Sequence, residues 1–146
     1  MWNAYREKAW GFDEILPVTG RPRNKWGGLS LFMIEAMGTL HLMGYDKWYR
    51  DAEEFLEENL DFGKWTHVNV FEATIRLIGG LISAHEMRPN EKLLEKIKEL
   101  GSKIKTAYAF KGGLPYSDLN LKTGKVDNQA ESLTTSEMYV SVELLK

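Results

Sequence analysis

Within the run Val68-Asn-Val-Phe-Glu72-Ala-Thr-Ile-Arg76-Leu-Ile-Gly-Gly-Leu-Ile-Ser-Ala84-His85, two charged residues interrupt an apolar stretch, and they stand four apart. That spacing puts a carboxylate and a guanidinium on one face of a helix. Two readings account for them. In the structural reading Asn69 caps the helix, Glu72 reaches back to the cap as the third residue of a capping box, and Glu72 and Arg76 neutralise each other. In the chemical reading Glu72 is a proton donor held in a partly desolvated pocket, where burial favours the protonated acid. The residues alone leave both open.

The elements that must position the pair follow from periodicity. Trp2 to Trp10 reads as a short amphipathic helix that ends at Gly11, and Phe12 to Trp26, with Pro17, Gly20 and Pro22, reads as an irregular loop. Gly28 to Met43 is apolar almost throughout and Gly44 stops it. Asp46 is placed to cap a third helix with one wet face, built on Trp48, Tyr49, Ala52, Phe55, Leu56 and Leu60. After the Asp61-Phe-Gly63 break comes the helix carrying Glu72, apolar on nearly every side and therefore expected to be buried. Asn90 caps a fifth helix, again half wet. Lys111 to Gly124 reads as an extended segment or short hairpin, and Gln129 to Leu145 as a last helix.

Buried and half-wet helices thus alternate in two units that start about 41 residues apart, the pattern of an α/α toroid or solenoid. Two or three such hairpins cannot surround their inner helices. The expectation is an incomplete all-α barrel whose open apolar surface needs the remainder of the barrel, or another chain, to cover it.

Composition narrows the function. The chain of 146 residues is 43% hydrophobic and 27% charged with net charge −2, about one globular domain. A weakly acidic balance argues against a nucleic-acid partner. With no cysteine, thiolate and disulfide chemistry are excluded. Neither an 18-residue apolar run nor a signal-peptide pattern is visible. His41, His67 and His85 lie far apart without paired ligands, which argues against a local metal site. Gly79-Gly80 lacks the Lys-Ser/Thr of a phosphate loop and reads as close helix packing. Five tryptophans could line a sugar platform or simply join the core.

Taken in order, the segments Trp2-Asn-Ala-Tyr5, Ala9-Trp-Gly-Phe-Asp13-Glu-Ile-Leu-Pro-Val18, Gly28-Leu-Ser-Leu-Phe-Met-Ile-Glu35-Ala-Met-Gly38-Thr-Leu40, Leu60-Asp-Phe62, Val68 to Ala84 and Leu114 to Gly124 resemble the N-terminal part of the class I α-1,2-mannosidases, glycoside hydrolase family 47. The resemblance implies that residues 1–146 are part of a single catalytic domain with an (α/α)7 barrel. It also implies a calcium-dependent, inverting removal of terminal α-1,2-linked mannose from high-mannose N-glycans in the endoplasmic reticulum or Golgi. On that reading Glu72 is the catalytic acid, and Arg76, Glu35 and Glu131 are sugar-site residues. The base and the calcium ligand are expected in later repeats, so the isolated chain is expected to be inactive. Two departures bear on the site. The family's Asp-Ala-Leu-Asp-Thr-Leu is here Glu35-Ala-Met-Gly38-Thr-Leu, and the usual His before Asp13 is Phe12. A catalytically weak, glycan-binding quality-control member of the same fold is the alternative, as is a truncated, partner-dependent chain.

Overall fold

A computed structural model describes residues 1–108 and 115–127. The expected last helix, Gln129 to Leu145, and the candidate Glu131 lie outside the described residues. Within them the elements run α1 (Trp2–Lys8), β1 (Glu14–Ile15), β2 (Pro22–Arg23), α2 (Leu31–Leu42), α3 (Asp46–Asn59) and β3 (His67–Asn69). A continuous helix then changes pitch twice: α4 (Val70–Glu72), a π turn (Ala73–Ile78) and α5 (Gly79–Met87). Next come α6 (Glu91–Ile104), a 3₁₀ turn (Lys105–Tyr108), β4 (Asp118–Asn120) and β5 (Val126–Asp127).

The alternation seen in the sequence becomes two layers. α2 packs against α5 and the π turn to form the inner layer, while α3 and α6 pack on each other and on the outside of it. The wet faces of α3 and α6 follow from their spacing: Tyr49, Ala52 and Leu56 are buried in one, Leu93, Leu100 and Ile104 in the other. Tyr49 crosses the layers. Its hydroxyl donates to Ala84 O at 2.8 Å, and burial pushes its pKa up to about 12.

The inner helices keep exposed residues, in line with the expectation that so few hairpins cannot surround them. Leu42 is 78% exposed, and Glu35 and Ile82 also face solvent. Among the described residues, two outer helices cover only the outer side of the two inner ones.

Three boundaries differ from the sequence expectation, each for a local reason. The first is the start of α2, at Leu31 rather than Gly28. Gly27 and Gly28 both have φ +80° and Ser30 has φ 57°, none of which a right-handed helix accepts. A Cβ on Gly27 would also stand 2.4 Å from Thr66 Oγ1. The second is the loop Phe12 to Trp26, which contains a small hairpin pairing Glu14 with Arg23 and Ile15 with Pro22, closed by Leu16 N–H on Arg21 O and Gly20 N–H on Leu16 O. The third is Asp46, which lies within the first turn of α3 and makes no cap; there its charge complements the helix dipole.

The other caps form as read. Asn90 Oδ1 accepts from Leu93 N–H at 3.1 Å, and Asn69 Oδ1 from Glu72 N–H at 2.9 Å. Of the expected extended segment residues 115–124 are described, and they carry β4, which pairs antiparallel with both β5 and β3, matching Val68 with Leu119. Val70 N–H donates to Ser117 O at 2.8 Å, so this sheet grips the start of the helix that carries Glu72.

Gly79-Gly80 is indeed a packing device, and only its second member is critical. A Cβ on Gly80 would lie 2.7 Å from Ile34 Cγ2, whereas one on Gly79 would meet only Thr74 O at 3.6 Å. Ile34 is buried and stiff, so it cannot swing away. Gly80→Ala should therefore destabilise by about 1–3 kcal/mol through overpacking. Gly79→Ala should be far milder, and thermal melts of the two variants check the contrast.

Candidate active site

The open side of the inner layer is where the predicted residues meet. Glu72 sits at the last position of α4, Arg76 in the middle of the π turn, and Glu35 on the neighbouring α2. Arg76 Nε lies 2.8 Å from Glu72 Oε2 and 3.5 Å from Glu35 Oε1, so one guanidinium bridges two carboxylates on different helices. The side chains of Glu72, Arg76 and Glu35 are 39%, 41% and 43% exposed. The triad is thus half open to solvent in this chain, and Glu72 is not enclosed in the desolvated pocket that the chemical reading envisaged.

Half of the structural reading is also present. Asn69 caps the helix through Glu72 N–H, but the Glu72 carboxylate is engaged with Arg76. Further along α2, Gly38 faces α5. A Cβ on Gly38 would stand 3.7 Å from both Met87 Cε and Ser83 Oγ, so the position where the family carries its second acid has room for a side chain and holds none.

The other candidates from the sequence separate from this cluster. His41 packs edge-on against Tyr49, His85 Nδ1 accepts Asn90 N–H at 3.1 Å beside the cap of α6, and His67 is exposed on β3. Among the described residues no three His, Cys, Asp or Glu side chains gather closely enough to hold a metal ion. Nor do the tryptophans form a common sugar platform. Trp2, Trp10, Trp26 and Trp48 pack against the core, and only Trp65, at 69%, is widely exposed.

Sequence reasoning passed over one residue beside the site. Thr74 is buried and donates its hydroxyl to Val70 O at 2.7 Å, inside the π turn. A hydroxyl in the middle of an apolar helix, two residues after Glu72, was the available signal.

The chain is similar to known proteins in both sequence and structure. The family model for glycosyl hydrolase family 47 matches residues 1–144, and the chain belongs to that family. It is 38% identical over 123 residues to the endoplasmic reticulum mannosyl-oligosaccharide 1,2-alpha-mannosidase of Rattus norvegicus, covering 84% of this chain and 19% of that one. It is 36% identical over 127 residues to a mannosyl-oligosaccharide 1,2-alpha-mannosidase of Arabidopsis thaliana, covering 87% of this chain and 23% of that one. In structure it resembles an alpha-1,2-mannosidase from Trichoderma reesei, with a TM-score of 0.77 over 90% of this chain and 30% of that one at 24% sequence identity. The chain therefore spans about a fifth of the length of the curated relatives it matches.

Half-exposed ion pairs contribute only about 0–1 kcal/mol to stability. If the triad serves chemistry rather than the fold, Glu72→Gln and Glu35→Gln should each lower the melting free energy by less than about 1 kcal/mol. A loss several times larger in the thermal melt would make the cluster structural.

Proposed function

We propose that this chain is part of a single family 47 catalytic domain that removes terminal α-1,2-linked mannose from high-mannose N-glycans, and that Glu72 is its proton donor. The observation that supports this most directly is the position of Glu72: on the open side of the inner layer, capped by Asn69 at its amide and held at its carboxylate by Arg76. On the same reading an (α/α)7 barrel completes the alternation of inner and outer helices. The remaining hairpins cover the exposed faces of α2 and α5 and turn the half-open triad into one wall of an enclosed pocket.

In that pocket Glu72 gives its proton to the glycosidic oxygen, directly or through one water, as the bond to the anomeric carbon lengthens. Arg76 orients the sugar and keeps Glu72 in place, and Glu35 steadies Arg76 from the facing helix. Inversion needs a second carboxylate, on the far side of the ring, with space for the water that it activates. That base and the calcium site belong to later repeats, and no step assigned to Glu72, Arg76 or Glu35 runs through the metal. Glu131 is proposed as a further sugar contact by resemblance alone. A secretory-pathway location, where N-glycans are trimmed, follows from the same reading.

A glycan-binding, catalytically weak member of the fold is the second reading, favoured by one observation: Gly38 leaves the second acidic position of the α2 motif without a side chain. Glu72→Gln in the full-length protein separates the two. The hydrolase reading expects mannose release to fall by at least about 100-fold, the usual worth of a positioned acid, while glycan binding persists. Mannose release at the wild-type rate would remove Glu72 from the mechanism, and an inactive wild type that binds glycan would favour the second reading.

A further inference from the structure

The helix that carries Glu72 is regular before and after the site and widened at it. Gly79 N–H is shared between Arg76 O and Thr74 O, and the second of these bonds, five residues back, is the one that defines a π turn. Such turns are rare and enter α-helices as single extra-residue bulges, so something must hold one in place. Both ends of the widened stretch are pinned. Upstream, Asn69 caps Glu72 N–H and Ser117 O holds Val70 N–H. Downstream, Gly80 sits so close to Ile34 that no Cβ fits between them. The widened stretch lies between these two fixed ends.

Thr74 lies in the widened stretch, and its hydroxyl reaches back to the helix start. Val70 O accepts from the Ala73 amide and, at 2.7 Å, from the Thr74 hydroxyl. The side chain has no exposure, and a buried hydroxyl without a partner would be costly, so the bond and the turn support each other. A wider turn also rotates less per residue. Residues four apart come closer to lying one above the other, and that is the relation between Glu72 and Arg76.

We infer that Thr74 is a positioning residue: its hydroxyl holds the π turn that sets Arg76 Nε on the Glu72 carboxylate while leaving it within 3.5 Å of Glu35. For its catalytic consequence the inference rests on the assignment of Glu72 as the acid. Its geometric content stands apart from that assignment.

The test compares Thr74→Val, which keeps the shape and removes the donor, with Thr74→Ser, which restores the donor, in the full-length protein. Two quantities are read: the Arg76 Nε–H resonance in ¹H–¹⁵N spectra, and steady-state mannose release. In Thr74→Val the resonance should move away from its carboxylate-bonded position, and kcat should fall roughly 10- to 100-fold with KM little changed, as expected for a displaced catalytic group. Thr74→Ser should bring both back. An unmoved resonance with unchanged kcat in the Val variant, or a Ser variant that rescues neither, overturns the inference. Should the Val variant not fold, Thr74→Ala is read in the same way. If the wild type releases no mannose, the hydrolase reading fails, and the resonance alone still decides whether Thr74 sets Arg76.

Discussion

One buried carboxylate fixes the frame on which the site is built. Asp13 is only 2% exposed, and its two oxygens accept the backbone N–H groups of Trp26, Gly28, Leu29 and Leu31 at 2.7, 2.9, 2.6 and 3.4 Å. A carboxylate taken out of water without partners would be prohibitively costly, so the loop has to close around it. Closing demands left-handed backbone at Gly27, Gly28 and Ser30, and this sets where α2 begins and hence where Glu35 points. Asp13 O in turn accepts Phe32 N–H in the first turn of that helix. The same loop docks the segment ahead of β3: Lys64 Nζ donates to Gly28 O and Thr66 Oγ1 to Trp26 O. Asp13 thus ties α2, which carries Glu35, to the strand that leads into Asn69 and Glu72.

From that frame the site follows in short steps. The sheet of β3, β4 and β5 grips Val70, Asn69 caps Glu72, the π turn carries Arg76 back over Glu72, and Gly80 lets α5 approach α2 closely enough for Arg76 to reach Glu35. The anchors in these steps are backbone contacts or bonds to backbone, and none of them runs through the Glu72 or Glu35 carboxylate. A half-open triad with little bearing on stability is the form expected of one wall of a pocket whose other walls come from elsewhere.

What was legible in the sequence was local. The amphipathic periods of α3 and α6, the caps Asn69 and Asn90, and the spacing of Glu72 and Arg76 all depend on residues within one or two turns. What was not legible depends on distance along the chain. The start of α2 is set by Asp13, 13 to 18 residues away from the amides it holds, and no turn rule carries that information. The short hairpin of β1 and β2 rests on two residue pairs, too few for a periodic signal. The π turn hides inside an apolar run because the contacts flanking it, at Ser117 and Ile34, lie far away along the chain. The apolar run of the inner helices reports the environment of a finished fold, whereas the described residues cover only one side of α2 and α5. Glu35 joined the site through family resemblance, and its contact with Arg76 came from the structure.

The most direct test of the account is a crystal structure of the full-length protein with an uncleavable, sulfur-linked α-1,2-mannobiose. The account predicts the linking atom within hydrogen-bond reach of the Glu72 carboxylate, directly or through one water, with Arg76 against the same sugar and Thr74 still bonded to Val70 O. A disaccharide bound with its linkage remote from Glu72, or approached by a different acid, would contradict it.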